Sequence, residues 1–140
     1  MEEILCKKCY NHKIMANTKS QTGQLGEYIA CGYLVDKKYK IIKQNYRQKW
    51  GELDIIAKAP DKTLVFTEVK TLLQNPNIQP EDNLTKSKLR KLKRTASLYA
   101  GHYQNLIDDK KGWRIDLITI TLSPLANSRE NCDIRHYENL

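Results

Sequence analysis

Two short segments with alternating faces, Gly51-Glu-Leu-Asp-Ile-Ile and Val65-Phe-Thr-Glu-Val-Lys70, constrain the fold of this chain more than any other part of it. Successive residues of a strand point to opposite faces. Glu52, Asp54 and Ile56 then share one face of the first strand, and Leu64, Phe66, Glu68 and Lys70 share one face of the second. Between them, Lys58-Ala-Pro-Asp-Lys-Thr is a turn-type stretch with Pro60 and Asp61. A hairpin turning near Asp61 sets Asp54 roughly opposite Glu68. The expected product is a mostly apolar face carrying three acids and one lysine. Such groups are costly to desolvate without partners. A divalent metal with a phosphate would supply them, and so would a cross-strand salt-bridge cluster of Asp54, Glu68 and Lys70.

Helical spacing brackets this hairpin. From about Gln21 to Val35, Leu25, Tyr28, Ile29 and Gly32 line one side, extended by Ala30, Cys31 and Leu34, with Ser20 or Thr22 as candidate caps. Glu27 borders that apolar surface; it is either a first-turn glutamate favoured by the helix dipole or part of a site. A strand is expected over Lys40–Arg47 and a loop over Leu72–Asp82, which holds Pro76 and Pro80. A long helix follows from about Leu84 to Tyr103, then a strand from Trp113 to Thr121, a loop from Ser123 to Glu130 and a short strand from Asp133 to Tyr137. In the long helix Leu84, Lys88, Leu92, Ala96 and Ala100 recur at i+4 and form the core-facing stripe. Lys88 is the one charge in that stripe: its ammonium either snorkels to solvent or reaches the acidic hairpin. Lys86, Arg90, Lys93 and Arg94 make a basic outer face, suited to solvent or to phosphates.

The 140 residues fit one domain, with residues 1–20 expected to form a flexible tail and 21–140 the folded unit. No apolar run approaches the ~20 residues that span a bilayer, and no signal-peptide pattern opens the chain. A cytoplasmic protein with no membrane partner is expected, its four cysteines thiols or metal ligands rather than disulfides. A net charge of +8 points to a polyanionic partner, nucleic acid first. Cys6, Cys9 and His12 in the tail offer three ligands for zinc, one short of a closed tetrahedral site.

Phosphodiester hydrolysis needs an attacking water, charge relief on the phosphate and a protonated leaving oxygen. Carboxylates holding a hard divalent cation meet the first two needs. In this reading Asp54 and Glu68 are the Mg²⁺ or Mn²⁺ ligands, with the Val69 carbonyl as a further oxygen. Lys70 orients the water or stabilises its hydroxide form. Glu27 completes the outer shell and Lys88 contacts the phosphate.

An acid followed by Glu-x-Lys on the next strand, set between helices, resembles the PD-(D/E)XK nuclease superfamily. More closely, the chain resembles the YraN-like family of predicted endonucleases, from about Gln21 to the C-terminus. The matching pieces occur in order: Gly23-x-x-Gly26-Glu27, Asn45-Tyr-Arg47, Gly51-Glu-Leu-Asp54-Ile-Ile, Phe66-Thr-Glu68-Val-Lys70-Thr, Lys88 in the helix that carries Ala96-x-x-Tyr99, and Arg114-Ile-Asp116-Leu-Ile. The resemblance implies an α/β, restriction-endonuclease-like fold, a central mixed sheet flanked by helices. It implies a metal site at Asp54, Glu68 and Lys70, an accessory acid at Glu27 and an accessory base at Lys88. Glu52 matches without a clear role, and Arg114 with Asp116 reads as a structural pair. Leu72 stands where the family often has arginine, which removes one expected phosphate contact. The implied activity is metal-dependent cleavage of DNA, including branched or flapped DNA. Junction-cutting members of the superfamily are often dimers, so a homodimer is an assembly the resemblance allows. The competing reading is a non-catalytic nucleic-acid-binding module that uses the basic helix face.

Overall fold

The computed structural model of the protein describes residues 19–73, 84–122 and 132–140. The expected zinc ligands Cys6, Cys9 and His12, the prolines Pro76 and Pro80, and the loop from Ser123 to Glu130 lie outside the described residues. In chain order the elements are α1 (Lys19–Asp36), β1 (Lys40–Gln48), β2 (Gly51–Lys58), β3 (Leu64–Leu73), α2 (Lys86–His102), a 3-10 turn (Gln104–Leu106), β4 (Trp113–Leu122) and β5 (Cys132–Tyr137). Helix α1 is already formed at Lys19, so Thr22 lies inside it and not at a cap. Strand β3 runs on to Leu73, which places Leu72 in the sheet and not in a loop.

The five strands form one mixed sheet in the order β1-β2-β3-β4-β5. Strand β3 is central, antiparallel to β2 and parallel to β4, and β1 and β5 add antiparallel edges. A parallel pair needs a long crossover, and α2 lies within the one between β3 and β4. Helix α1 covers one face, where Leu25, Ile29, Ala30 and Leu34 pack on Ile55, Val65, Val69, Ile118 and Ile120. Helix α2 covers the other, where Leu92, Ala96, Tyr99 and Ala100 pack on Tyr46, Ile56, Phe66 and Ile115. This α/β sandwich is the restriction-endonuclease-like arrangement. Among the described residues no helix is long and apolar enough to cross a membrane.

The β2–β3 hairpin turns at Pro60–Lys62, and its register runs from Lys58↔Leu64 to Ile55↔Thr67, which sets Asp54 opposite Glu68. Strict alternation fails in β2, however. Leu53 and Ile56 belong to the same packed face, whereas Ile55 belongs to the other. The break falls at Asp54, flanked in β1 by the pairs Gln44↔Ile55 and Tyr46↔Leu53. The β1 residue between those pairs is Asn45, at φ 52. Asparagine tolerates this left-handed conformation better than most residues. The local kink turns Leu53 into the core with α2 and leaves Glu52 exposed, 3.8 Å from Arg47. The expected face of three acids is therefore corrected: two acids face α2, and Glu52 joins a surface ion pair.

Candidate active site

The site begins where β2 and β3 part. Beyond Ile55↔Thr67, Asp54 inserts its side chain where the ladder would continue, and Oδ2 accepts the Val69 N–H at 2.8 Å. Its carboxyl group lies close enough to that of Glu68 for the two to interact. Glu68 is only 6 % exposed, which is rare for an acid without strong partners. Burial first, and then the neighbouring Glu68 carboxylate, pushes Asp54 up to about 8, against the Val69 N–H bond that favours its ionised form.

Two lysines meet over Glu68. Lys88 Nζ lies 2.6 Å from Oε1, and Lys70 Nζ lies 3.6 Å from the same atom. The capping of α2 places Lys88: Thr85 stands at the N-cap, and its hydroxyl accepts the Lys88 N–H at 3.1 Å. A cap of this type contributes about 1 kcal/mol, and here it also sets the helical phase that turns Lys88 inward. Burial opposes the Lys88 charge, but the bond to Glu68 outweighs it and raises the ammonium above its ordinary value. Lys70 moves the other way: burial and then the adjacent Lys88 ammonium lower it. The site thus holds one lysine from β3 that is lowered and one from α2 that is raised.

Glu27 approaches from α1. A Cβ at Gly26 would collide with the Thr71 hydroxyl, so glycine is what lets α1 seat closely on β3. Burial raises Glu27 above the usual carboxylate range. Arg47 and a side-chain hydrogen bond from Asn45 pull it down, while Glu68 and Glu52 push it up. Asn45 and Arg47 therefore support the site, although the sequence reading used them only as family markers. The signal for Asn45 was a turn-type residue inside a β-branched strand.

Above these groups opens a cleft of about 700 Å³ between α2 and the β1–β2 turn. Glu68 and Glu52 line it, with Arg47, Lys49, Lys88 and Lys91 as its cations and Trp50, Thr85 and Ser87 beside them. Close packing sets this wall too, because a Cβ at Gly51 would collide with the Thr95 hydroxyl. Lys86, Arg90, Lys93 and Arg94 are exposed on the outer side of α2 and line no part of the cleft.

A second acid cluster lies on the α1 face, around fully buried Asp116. Arg114 donates to both of its oxygens at 2.9 and 3.2 Å, His136 Nε2 lies 2.8 Å from Oδ2, and the Asn139 N–H reaches Oδ1 at 3.0 Å. Arg114 also donates to the Tyr39 hydroxyl at 3.0 Å and lies 3.7 Å from Glu138. Burial would raise Asp116, but the bonds from His136, Arg114 and Asn139 outweigh it and hold the carboxyl below its usual range. Asp116, His136 and Glu138 bring one ligand atom each within 4.8 Å of one another, a spacing that a cation could bridge. The Arg114 guanidinium already contacts both acids and would repel a metal there. The expected Arg114–Asp116 structural pair is present; its extension to His136, Tyr39 and the C-terminal residues had no local signal in the sequence.

Residues 26–120 match the model of the Uncharacterised protein family UPF0102. A UPF0102 protein of Mycobacterium tuberculosis is 34% identical over 127 residues, covering 88% of this chain and 94% of the relative. One from Caldicellulosiruptor bescii is 36% identical over 107 residues, covering 76% and 87%, and one from Mycobacterium ulcerans is 35% identical over 114 residues, covering 79% and 88%.

Proposed function

The chain belongs to the Uncharacterised protein family UPF0102, the YraN family, and from that premise we propose that it is a metal-dependent endonuclease hydrolysing DNA phosphodiesters, branched or flapped DNA included. One observation carries this reading: Asp54 stands opposite Glu68 beside a cation-lined cleft, and two lysines converge on Glu68. Two adjacent carboxyls, with Asp54 pushed up to about 8 by burial and then by Glu68, form a hard oxygen donor set that fits Mg²⁺ or Mn²⁺. The ion would supply charge relief on the phosphate and acidify water.

The side chains then divide the remaining work. The Val69 N–H holds Asp54 in place for the metal. Lys88, placed by its cap, would offer its ammonium to the scissile phosphate, and Glu68 would be one of the residues that hold the metal. Burial and the Lys88 ammonium lower Lys70, and its neutral amine, after giving its proton to solvent, would accept one from the attacking water. Glu27 orients water from the α1 side and is itself held by Asn45. Cleavage of duplex, single-stranded, flap and four-way-junction DNA with Mg²⁺ or Mn²⁺, using Asp54→Asn as control, tests the reading. Metal-dependent cutting that the variant lacks supports it; no cutting of any substrate, or equal cutting by the variant, refutes it.

The exposed cations Lys86, Arg90, Lys93 and Arg94 favour a second reading, a DNA-binding module without chemistry. It expects salt-sensitive binding that is indifferent to divalent metal and to Glu68→Ala.

A further inference from the structure

We propose that the β1–β2 turn is a base-stacking platform, and that the cleft takes DNA with an unpaired nucleotide beside the phosphate to be cut. This rests on the nuclease reading above and narrows its substrate. The pair Gln48↔Gly51 closes the hairpin and leaves only Lys49 and Trp50 in the turn. Two-residue turns favour Asn, Asp and Gly, so turn geometry does not account for a tryptophan. Packing does not account for it either. Trp50 is 38 % exposed, and its indole makes no ring contact among the described residues. Trp113 is almost as exposed, at 36 %, but its ring stands edge-on to Phe66 with centroids 5.6 Å apart. One exposed tryptophan is thus anchored and the other is presented.

The presented indole has a fixed position and charged company. Gly51 seats against Thr95 of α2, which ties the turn to the helix. Trp50 and Lys49 form one wall of the cleft, Lys88 and Lys91 come from α2, and Glu68 belongs to the same lining. An aromatic face near cations is how strands are held without base-specific hydrogen bonds: the base stacks, and the cations take the flanking phosphates. In an intact duplex both faces of each internal base are covered by its neighbours. Only an unpaired or terminal base can stack on Trp50 while its phosphate lies toward Glu68. Flaps, gaps and junctions present such nucleotides next to duplex.

Tryptophan fluorescence provides the test, in a Trp113→Phe background and in EDTA so that no cutting occurs. The probes are a flap DNA and a covalently closed circular duplex, which has neither unpaired nor terminal bases. The expected result is quenching of Trp50 by the flap and not by the circle. Trp50→Ala should weaken flap binding on the order of ten-fold while leaving circle binding unchanged, and Trp50→Phe should restore most of the difference. Equal quenching by both DNAs, or a Trp50→Ala protein that binds the flap as well as its parent, overturns the inference and leaves the nuclease reading standing. If neither DNA binds the parent protein, both fall.

Discussion

On the α1 face of the sheet, Asp116 receives two bonds from Arg114, one contact from His136 and one backbone N–H. On the α2 face, Asp54 receives one backbone N–H and lies against another carboxyl. Both acids are removed from water, yet the first is held below the ordinary carboxylate range and the second rises to about 8. The Asp116 cluster is complete and ties the C-terminal residues to the sheet, as the Leu140 N–H bond to the Ile115 carbonyl also shows. In the Asp54–Glu68 cluster both lysines meet Glu68, Asp54 has only the Val69 N–H, and Glu68 lines a cleft. A buried acid that serves the fold brings its partners with it; one that serves a ligand leaves a place for them.

The sharpest way to break this comparison is to neutralise each acid in turn. Asp54→Asn or Glu68→Gln should lower cleavage on the order of 10³-fold, the scale of losing one preorganised charge contact, with circular dichroism unchanged. Asp116→Asn should act on stability instead. Leaving Arg114 and His136 without their carboxylate costs about 3–5 kcal/mol, a fall in Tm on the order of 10 °C by calorimetry. A stable Asp116→Asn protein with abolished cleavage would reverse the two roles.

The pH dependence is the next largest effect and has opposite signs in the two clusters. The raised Asp54 contributes stability that is complete below the ordinary carboxylate value of 3.8 and is lost as pH climbs through about 8. The lowered Asp116 contributes stability that is present above that ordinary value and is lost as pH falls through its depressed one. In metal-free buffer at pH 9, Asp54→Asn should therefore melt on the order of 5 °C above the parent protein and lose the alkaline slope. A parent protein whose Tm is flat from pH 5 to 9 would contradict the raised Asp54.

The smallest effect concerns the outer face of α2. Replacing Lys86, Arg90, Lys93 and Arg94 with alanine should reduce the slope of log affinity against log salt by at most about 4 and leave single-turnover cleavage at saturating protein unchanged. A loss of cleavage under those conditions would move the working surface out of the cleft.

Period-two spacing placed Asp54 across from Glu68, and helical spacing put Lys88 on the inward stripe, because both depend on residues close in sequence. The exposure of Glu52 was missed because one left-handed residue, Asn45 in the neighbouring strand, breaks the alternation of β2. Thr95 was missed as a buried position because its place is made by Gly51, 44 residues away by the numbering. The Asp116 network joins Tyr39, from the connection between α1 and β1, to Arg114 of β4 and His136 of β5, and no local pattern carries that. Trp50 could have been noticed at the sequence level as an indole in a position that favours Asn or Gly, had the turn been placed between Gln48 and Gly51.

Mn²⁺ titration followed by electron paramagnetic resonance tests the assignment of the two clusters most directly, on the parent protein and on the Asp54→Asn and His136→Ala variants. The account predicts binding by the parent and by His136→Ala, and loss or strong weakening in Asp54→Asn. Binding that survives in Asp54→Asn and disappears in His136→Ala would contradict it.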